Sequence, residues 1–367
     1  MPRIRVGIVF GGRSGEHEIS LKSAASIMNA IDRSKFEVVP IGITREGKWL
    51  LSDDPMRQLN EASGGVGLSL ALGSEAIDRG GLPAFSSLPG AAMPVHLDVV
   101  FPVVHGTFGE DGTLQGLLEL AGIPYVGAGV LGSAVGMDKV MMKHVFRAHC
   151  LPVPDYLLVL RREWDSDRKR TLDEIEKRFG YPCFVKPANL GSSVGISKAS
   201  SREVLEEAID QAAAYDRRLI VEESIEGARE LECAVLGNDE PVASSVGEVV
   251  PCNEFYDYAA KYVDDRTTLL IPADVPVETE ALARDLAVRV FKAVDCAGLG
   301  RVDFLLRKSD GKLFVNEINT IPGFTSISMF PKLWEQSGVS YSALIERLIG
   351  LAIERFSDKT RNRTSHC

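Results

Sequence analysis

Short apolar runs separated by amphipathic helical stretches, with glycine clusters at the joints, are the feature that most narrows what this chain can become. Ile4 to Phe10 reads as a buried strand that runs into Gly11-Gly12-Arg13-Ser14-Gly15 and then a helix from about His17 to Ile31. Strand-like Glu37 to Ile43 and Leu97 to Val104 follow, with a helix expected over Thr113 to Leu120. Such alternation calls for a mainly parallel α/β sheet. The pattern restarts with a helix over Asp138 to His149, closed by Pro152 and Pro154. A second α/β unit runs through strand Cys183 to Lys186, glycine loop Asn189 to Gly195, helix Arg202 to Tyr215 and strand Leu219 to Glu223. A third begins near Cys233 and holds helix Val277 to Val294, strands around Arg301 to Leu306 and Lys312 to Ile318, and helix Tyr341 to Phe356.

A chain of 367 residues is long enough for two or three cores. The expected domains are 1–132, 133–235 and 236–356, followed by a polar tail, 357–367; the Gly-, Ser- and Ala-rich segment from Ser52 to Pro94 is expected to be mostly loop. A net charge of −10 argues against a nucleic-acid partner, which needs a concentrated basic surface. The six cysteines form no CxxC pair, which removes zinc and dithiol readings and fits reduced thiols in a cytoplasmic protein. No apolar run approaches the ~20 residues of a membrane span, so no membrane association is expected.

Chemistry concentrates in Gly300-Arg301-Val302-Asp303 and Asn316-Glu317-Ile318-Asn319, joined through Ser309-Asp310-Gly311 as a hairpin. Side chains two apart on a strand share a face, so Arg301 goes with Asp303, and Glu317 with Asn319. Asp303 faces Glu317 across the ladder only if the pairing phase is right, and a three-residue turn with Gly311 in the left-handed region would supply it. Asp, Glu and Asn on one face suit magnesium held together with substrate phosphates. The alternative is an exposed polar hairpin face, which the flanking apolar runs disfavour.

No GxxxxGK[ST] is present, so phosphate needs another cradle. Lys186 ends an apolar strand, where an unpaired ammonium is costly, and Asn189 to Gly195 after it offers free backbone amides. Lys139 near a helix start adds a second cation, and Glu222, Glu223 and Ile225 offer a seat for adenine and ribose. Gly191-Ser192-Ser193-Val194-Gly195 also matches the GxSxG elbow of hydrolases, but that fold needs a helix after the serine and a downstream histidine, and only His366 follows. Gly11-Gly12-Arg13-Ser14-Gly15 is not a GxGxxG dinucleotide turn. Glu18 near the following helix start could receive an ammonium, although a carboxylate there also simply complements the helix dipole.

Taken together, Gly11 to Ser20, His105-Gly106-Thr107-Phe108-Gly109-Glu110-Asp111-Gly112, Met137-Asp138-Lys139, Val185-Lys186-Pro187, Phe255 to Tyr262 and Asn316-Glu317-Ile318-Asn319-Thr320 with Pro322-Gly323 resemble the ATP-grasp enzymes, specifically the D-alanine:D-alanine ligases of bacterial peptidoglycan synthesis, over nearly the whole chain. The resemblance implies a three-domain ATP-grasp fold with an N-terminal mainly parallel α/β domain, ATP as co-substrate, D-alanine as substrate, two magnesium (or manganese) ions, a cytoplasmic location and a homodimer. It implies that Lys139, Lys186 and Lys261, with Ser192 and Ser193, hold ATP phosphates, that Glu222, Glu223, Ile225 and Glu230 seat the nucleoside, and that Asp303, Glu317 and Asn319 bind the metals. Glu18, Ser192 and Tyr262 would close the site around the first D-alanine, with His105 beside it; Arg301 and the Gly323 amide would steady the tetrahedral intermediate, and Ser328 the second carboxylate. Residues 254–265 would be a lid that keeps water from the acyl phosphate. A D-lactate-transferring or other dipeptide ligase is the neighbouring expectation, and a non-catalytic nucleotide sensor the one from another class.

Overall fold

In the first unit, strands β1 (Ile4–Gly11), β2 (Phe36–Ile43), β3 (Trp49–Leu50) and β4 (Val99–Pro102) form a sheet in the order β3-β2-β1-β4, with β1 parallel to both neighbours and only β3 antiparallel. The computed structural model describes residues 2–51, 54–64, 96–191, 194–250 and 268–363. Helix α1 (His17–Ala30) is tied to this sheet through Ser20, whose hydroxyl donates to Val103 O and accepts the Gly11 N–H. Gly11 has φ 91°, and a Cβ there would stand 2.1 Å from Ile43 O, so this turn admits only glycine. Helix α2 (Pro55–Gly64) occupies the start of the segment expected to be mostly loop; the remainder, 65–95, lies outside the described residues. Helices α3 (Thr113–Ala121), α4 (Val130–Met137) and α5 (Lys139–Ala148) follow, and α4 runs through the expected boundary at 132.

The second sheet, order β5-β8-β6-β7, is built from β5 (Tyr156–Leu160), β6 (Cys183–Pro187), β7 (Ser197–Ala199) and β8 (Arg218–Glu223), all antiparallel. The third, order β11-β10-β9-β12-β13, contains β9 (Ala228–Gly237), β10 (Val242–Val250), β11 (Thr268–Leu270), β12 (Gly298–Arg307) and β13 (Leu313–Asn319). β9 pairs along its length with β12, so residues 228–235, expected in the second unit, are joined to the third sheet. The last helix, Tyr341–Lys359, extends into the expected polar tail. The first and third units share one apolar core, in which Phe101 of β4 meets Phe324 edge-on at 5.6 Å. Among the described residues, no helix is long and apolar enough to cross a membrane.

Candidate active site

The three units wall a cavity of about 310 Å³, lined by Glu16 and His105 from the first, Lys139 and Gly191 from the second, and Arg301, Glu317, Asn319, Gly323 and Ser328 from the third. The β12–β13 hairpin supplies much of its floor. Its loop is 308–311, closed by Gly311 N–H donating to Arg307 O and Arg307 N–H to Lys312 O, both at 2.9 Å, with Gly311 at φ 69°. That is one residue longer than the three-residue turn expected. Regular pairing from Leu306↔Leu313 to Phe304↔Val315 would set Asp303 opposite Asn316 and turn Glu317 to the other face. A bulge at Asn316 shifts the register by one, so that Asp303 faces Glu317 and Arg301 faces Asn319. The facing required for a metal site is therefore present, reached by a bulge instead of an odd turn.

On this face Arg301 grips both oxygens of Asp303 at 2.7 Å and reaches Glu232 at 2.9 Å, and Asn319 Nδ2 donates to Asp303 at 2.9 Å. Asp303, Glu317 and Asn319 supply two carboxylates and a carboxamide oxygen, a hard donor set that fits magnesium completing its shell with phosphate and water oxygens. Among the described residues no group of three or more His, Cys, Asp or Glu is placed to hold a metal by itself.

Cations gather beside it. Asp138 caps α5 by accepting from Val140 and Met141 N–H, which fixes Lys139 at the first helical position. Lys139 Nζ donates to Leu190 O at 2.7 Å and stands 3.9 Å from Glu317. Lys186, on β6, pairs with Glu222 of β8 at 2.6 Å, and Lys143 reaches the other oxygen of Glu222 at 2.9 Å. Burial alone would raise Glu222, but Lys143 and Lys186 outweigh it and hold the carboxyl down to about 2. Burial likewise opposes the charge on Lys186, and Glu222 and Glu317 overcome it, so Lys186 lies above the ordinary lysine value. Lys143 goes the other way: burial keeps it below that value even beside Glu222.

Residues 5–128 match the family model for the D-ala D-ala ligase N-terminus, and residues 145–350 match that for the D-ala D-ala ligase C-terminus. The chain belongs to the D-Ala-D-Ala ligase family. It is 51% identical to a D-alanine--D-alanine ligase of Acetivibrio thermocellus, over 97% of this chain and 98% of that one. It is 52% identical to that of Ruminiclostridium cellulolyticum, over 100% and 99%. Among solved structures, the D-alanine-D-alanine ligase from Coxiella burnetii superposes with a TM-score of 0.80 at 38% identity, covering 98% of both chains. VanG D-Ala:D-Ser ligase from Enterococcus faecalis also gives 0.80, at 36% identity over 96% of this chain and 100% of that one.

Within the ligase fold, the residues expected at the site divide into several groups. His105, Lys139, Arg301, Glu317, Asn319, Gly323 and Ser328 line the cavity. His105 does so with Nδ1 on Ile321 O and Nε2 on Ser23, and so offers no free nitrogen to a ligand. Asp303 lies beneath Arg301. Glu222 is buried between its lysines, Glu223 accepts the Asp155 N–H at 2.7 Å, Ile225 is buried, and Glu230 on β9 adds to the negative field at Lys186. Ser192, Ser193, Lys261, Tyr262 and the expected lid lie outside the described residues. Glu18 departs from expectation: it is half exposed and ion-paired with Arg45, away from the cavity. Glu16, two positions earlier at the N-cap of α1, is buried and forms part of the wall instead, because positions two apart on a helix point to different sides. Glu16 sits against two glycines: a Cβ at Gly106 or Gly191 would come within 2.7 or 2.8 Å of its Oε2.

Glu16, Glu110, Lys143 and Glu232 escaped the sequence reading. The signals were Glu110 inside the stretch quoted from His105 to Gly112, Lys143 one helical turn beyond Lys139, and Glu232 sharing a strand face with Glu230. Strand β7, which begins two residues after Gly195, where a hydrolase elbow needs a helix, removes the hydrolase reading.

Proposed function

We propose that this enzyme joins two D-alanine molecules into D-alanyl-D-alanine through a D-alanyl phosphate, converting ATP to ADP and phosphate. The observation that carries this reading is the bulged hairpin. It sets Asp303, Glu317 and Asn319 on one face, with Arg301 on Asp303 and Lys139 beside Glu317, in a cavity that Gly323 also lines.

A carboxylate is a poor electrophile, so one of its oxygens attacks the γ-phosphorus, the bond to ADP breaks, and an acyl phosphate results. Lys139 and Lys186 spread the charge on the transferring phosphoryl group. When bound at Asp303, Glu317 and Asn319, two magnesium ions would neutralise the terminal phosphate oxygens. Glu16 takes the place expected for Glu18 and receives the first D-alanine's ammonium, since it lies in the cavity wall near the start of α1, where Glu18 does not. The second amine attacks the acyl carbon, Arg301 and the Gly323 N–H stabilise the oxyanion, and phosphate departs as the new amide forms and the amine loses its proton. Ser328, at the cavity wall, holds the second carboxylate. Glu222, Glu223, Ile225 and Glu230 seat the nucleoside, and resemblance assigns Ser192, Ser193, Lys261 and Tyr262 to phosphate binding and closure. ATP as co-substrate fits a cytoplasmic enzyme, and the family resemblance supports a homodimer, which sedimentation would test.

The test is an ADP-release assay with D- and L-amino acids and mass analysis of the product. D-Alanine alone should yield ADP and D-alanyl-D-alanine. ADP release that D-alanine does not stimulate would refute the proposal. Acceptor choice is the point on which a second reading has support, because the D-Ala:D-Ser ligase VanG superposes as well as the Coxiella enzyme. Mixed D-alanine and D-serine or D-lactate incubations separate the two.

A further inference from the structure

The segment from Ile321 to Phe324 brings Gly323 to the cavity, and it follows β13 of the third sheet, yet the first unit holds it. His105 Nδ1 lies 2.9 Å from Ile321 O; a carbonyl only accepts, so Nδ1 carries the proton and donates. Nε2 then accepts from the Ser23 hydroxyl at 3.3 Å, and Ser23 Oγ accepts the Phe324 N–H, also at 3.3 Å. On the other side of Ile321, Glu110 Oε1 accepts its N–H at 3.0 Å, while Oε2 accepts the Gly106 N–H at 2.6 Å. One continuous network thus grips Ile321 by both its donor and its acceptor and reaches Phe324 two residues beyond Pro322, with Gly323 suspended between the anchored ends.

We propose that Glu110, His105 and Ser23 are positioning residues that aim the Gly323 N–H at the oxyanion, so that the first unit sets the catalytic geometry of a loop in the third. The inference rests on the reading in which Gly323 meets the tetrahedral intermediate. The chemistry of the three groups fits the task. His105 and Ser23 are buried, and burial holds the imidazole below its ordinary value against the opposing pull of Glu16, keeping it neutral with one donor and one acceptor. Glu110 is kept where burial, and then Glu16, push it up to about 8, although the Gly106 and Ile321 amides and Arg301 favour its charge. A carboxyl in such surroundings weakens the fold unless its hydrogen bonds matter, and only a group with two acceptor oxygens can take both amides. The tethering is strengthened from outside the network, where Ser26 accepts the Ser326 N–H and Tyr341 donates to Phe324 O.

Glu110→Gln tests the assignment with little change of shape, since its single acceptor oxygen must give up one of the two amides. His105→Gln and Ser23→Ala interrupt the network at its other links. Because a misplacement of about 1 Å can cost roughly 100-fold, each variant should lose about ten- to a hundredfold in kcat. The KM for ATP should stay within about twofold, the pattern of a contact made only in the transition state. The Glu110→Gln/His105→Gln double variant should be no slower than the worse single one, since both act through Ile321. With selectively labelled 15N-isoleucine, the Ile321 amide resonance should move in Glu110→Gln, because its bond to the carboxyl oxygen is either lost or replaced by one to a carboxamide oxygen.

Wild-type kcat in Glu110→Gln would overturn the proposal, as would an unmoved Ile321 resonance. Parallel loss of kcat, ATP affinity and melting temperature would overturn it too, because that marks general loosening. Should His105→Gln fail to fold, Glu110→Gln and Ser23→Ala carry the same comparison. The resonance is read without turnover, so a wild-type protein that forms no dipeptide would count against the proposed function while the spectrum still decides the network.

Discussion

Replacing Lys143 by methionine keeps most of the side-chain volume and removes one charge from the most deeply buried ion cluster in the site. Lys143 is 1% exposed and 2.9 Å from Glu222, whose other oxygen meets Lys186 at 2.6 Å. Holding Glu222 at about 2 instead of the ordinary 4.5 corresponds to ~3 kcal/mol in favour of its ionised form. Breaking a buried pair outright costs ~3–5 kcal/mol, but here Lys186 remains, so the loss at neutral pH should be about 2 kcal/mol. The sign with pH is fixed. A carboxyl depressed in the folded state contributes fully above 4.5 and loses that contribution as pH falls toward about 2. Glu222 in the variant sits nearer its ordinary value, so wild type alone weakens on this account, and the gap between the two should narrow by ~1 kcal/mol between pH 7 and pH 4. Lys186, left as the sole counter-ion of Glu222, should also yield less readily to phosphate, raising the KM for ATP about tenfold, or ~1.4 kcal/mol. Urea unfolding across that pH range, with ATP titrations beside it, checks both. A variant as stable as wild type at pH 7, or a gap indifferent to pH, would refute the charge-balance reasoning.

Other substitutions separate neighbouring claims. Glu16→Gln should raise the KM for D-alanine tenfold or more, on the order expected when a charged partner of an ammonium is lost, while Glu18→Gln should leave it unchanged; steady-state kinetics distinguishes them. Gly191→Ala places a Cβ 2.8 Å from Glu16 Oε2, so it should weaken D-alanine binding more than ATP binding in paired titrations. Asp303→Asn should lower Mn2+ affinity in the presence of a non-hydrolysable ATP analogue at least about tenfold by paramagnetic resonance, since a hard cation loses a charged ligand.

Much of this was legible in the chain. The alternation of apolar runs and helices announced the parallel first sheet, and period-two spacing put Arg301 with Asp303 and Glu317 with Asn319. The phase between the two strands was not legible, because nothing about Asn316 marks it as a bulge, and the loop is one residue longer than Gly311 alone suggests. Glu18 and Glu16 occupy the same quoted stretch, and which one faces inward depends on where the helix begins, a matter of one or two residues. Lys143 reads as an ordinary solvated helix lysine until β8 brings Glu222 against it from eighty residues away in the chain, roughly the separation local pattern cannot span. The sheet to which β9 belongs was hidden for a similar reason: it joins the third sheet through its pairing with β12, which lies far downstream.

The acyl phosphate is the step on which the functional account turns, and oxygen labelling addresses it directly. D-Alanine carrying 18O in its carboxylate is incubated with the enzyme, ATP and magnesium, and the released phosphate is weighed. Transfer of one labelled oxygen per phosphate, in step with dipeptide formation, is the predicted result. Unlabelled phosphate accompanying the dipeptide would contradict it.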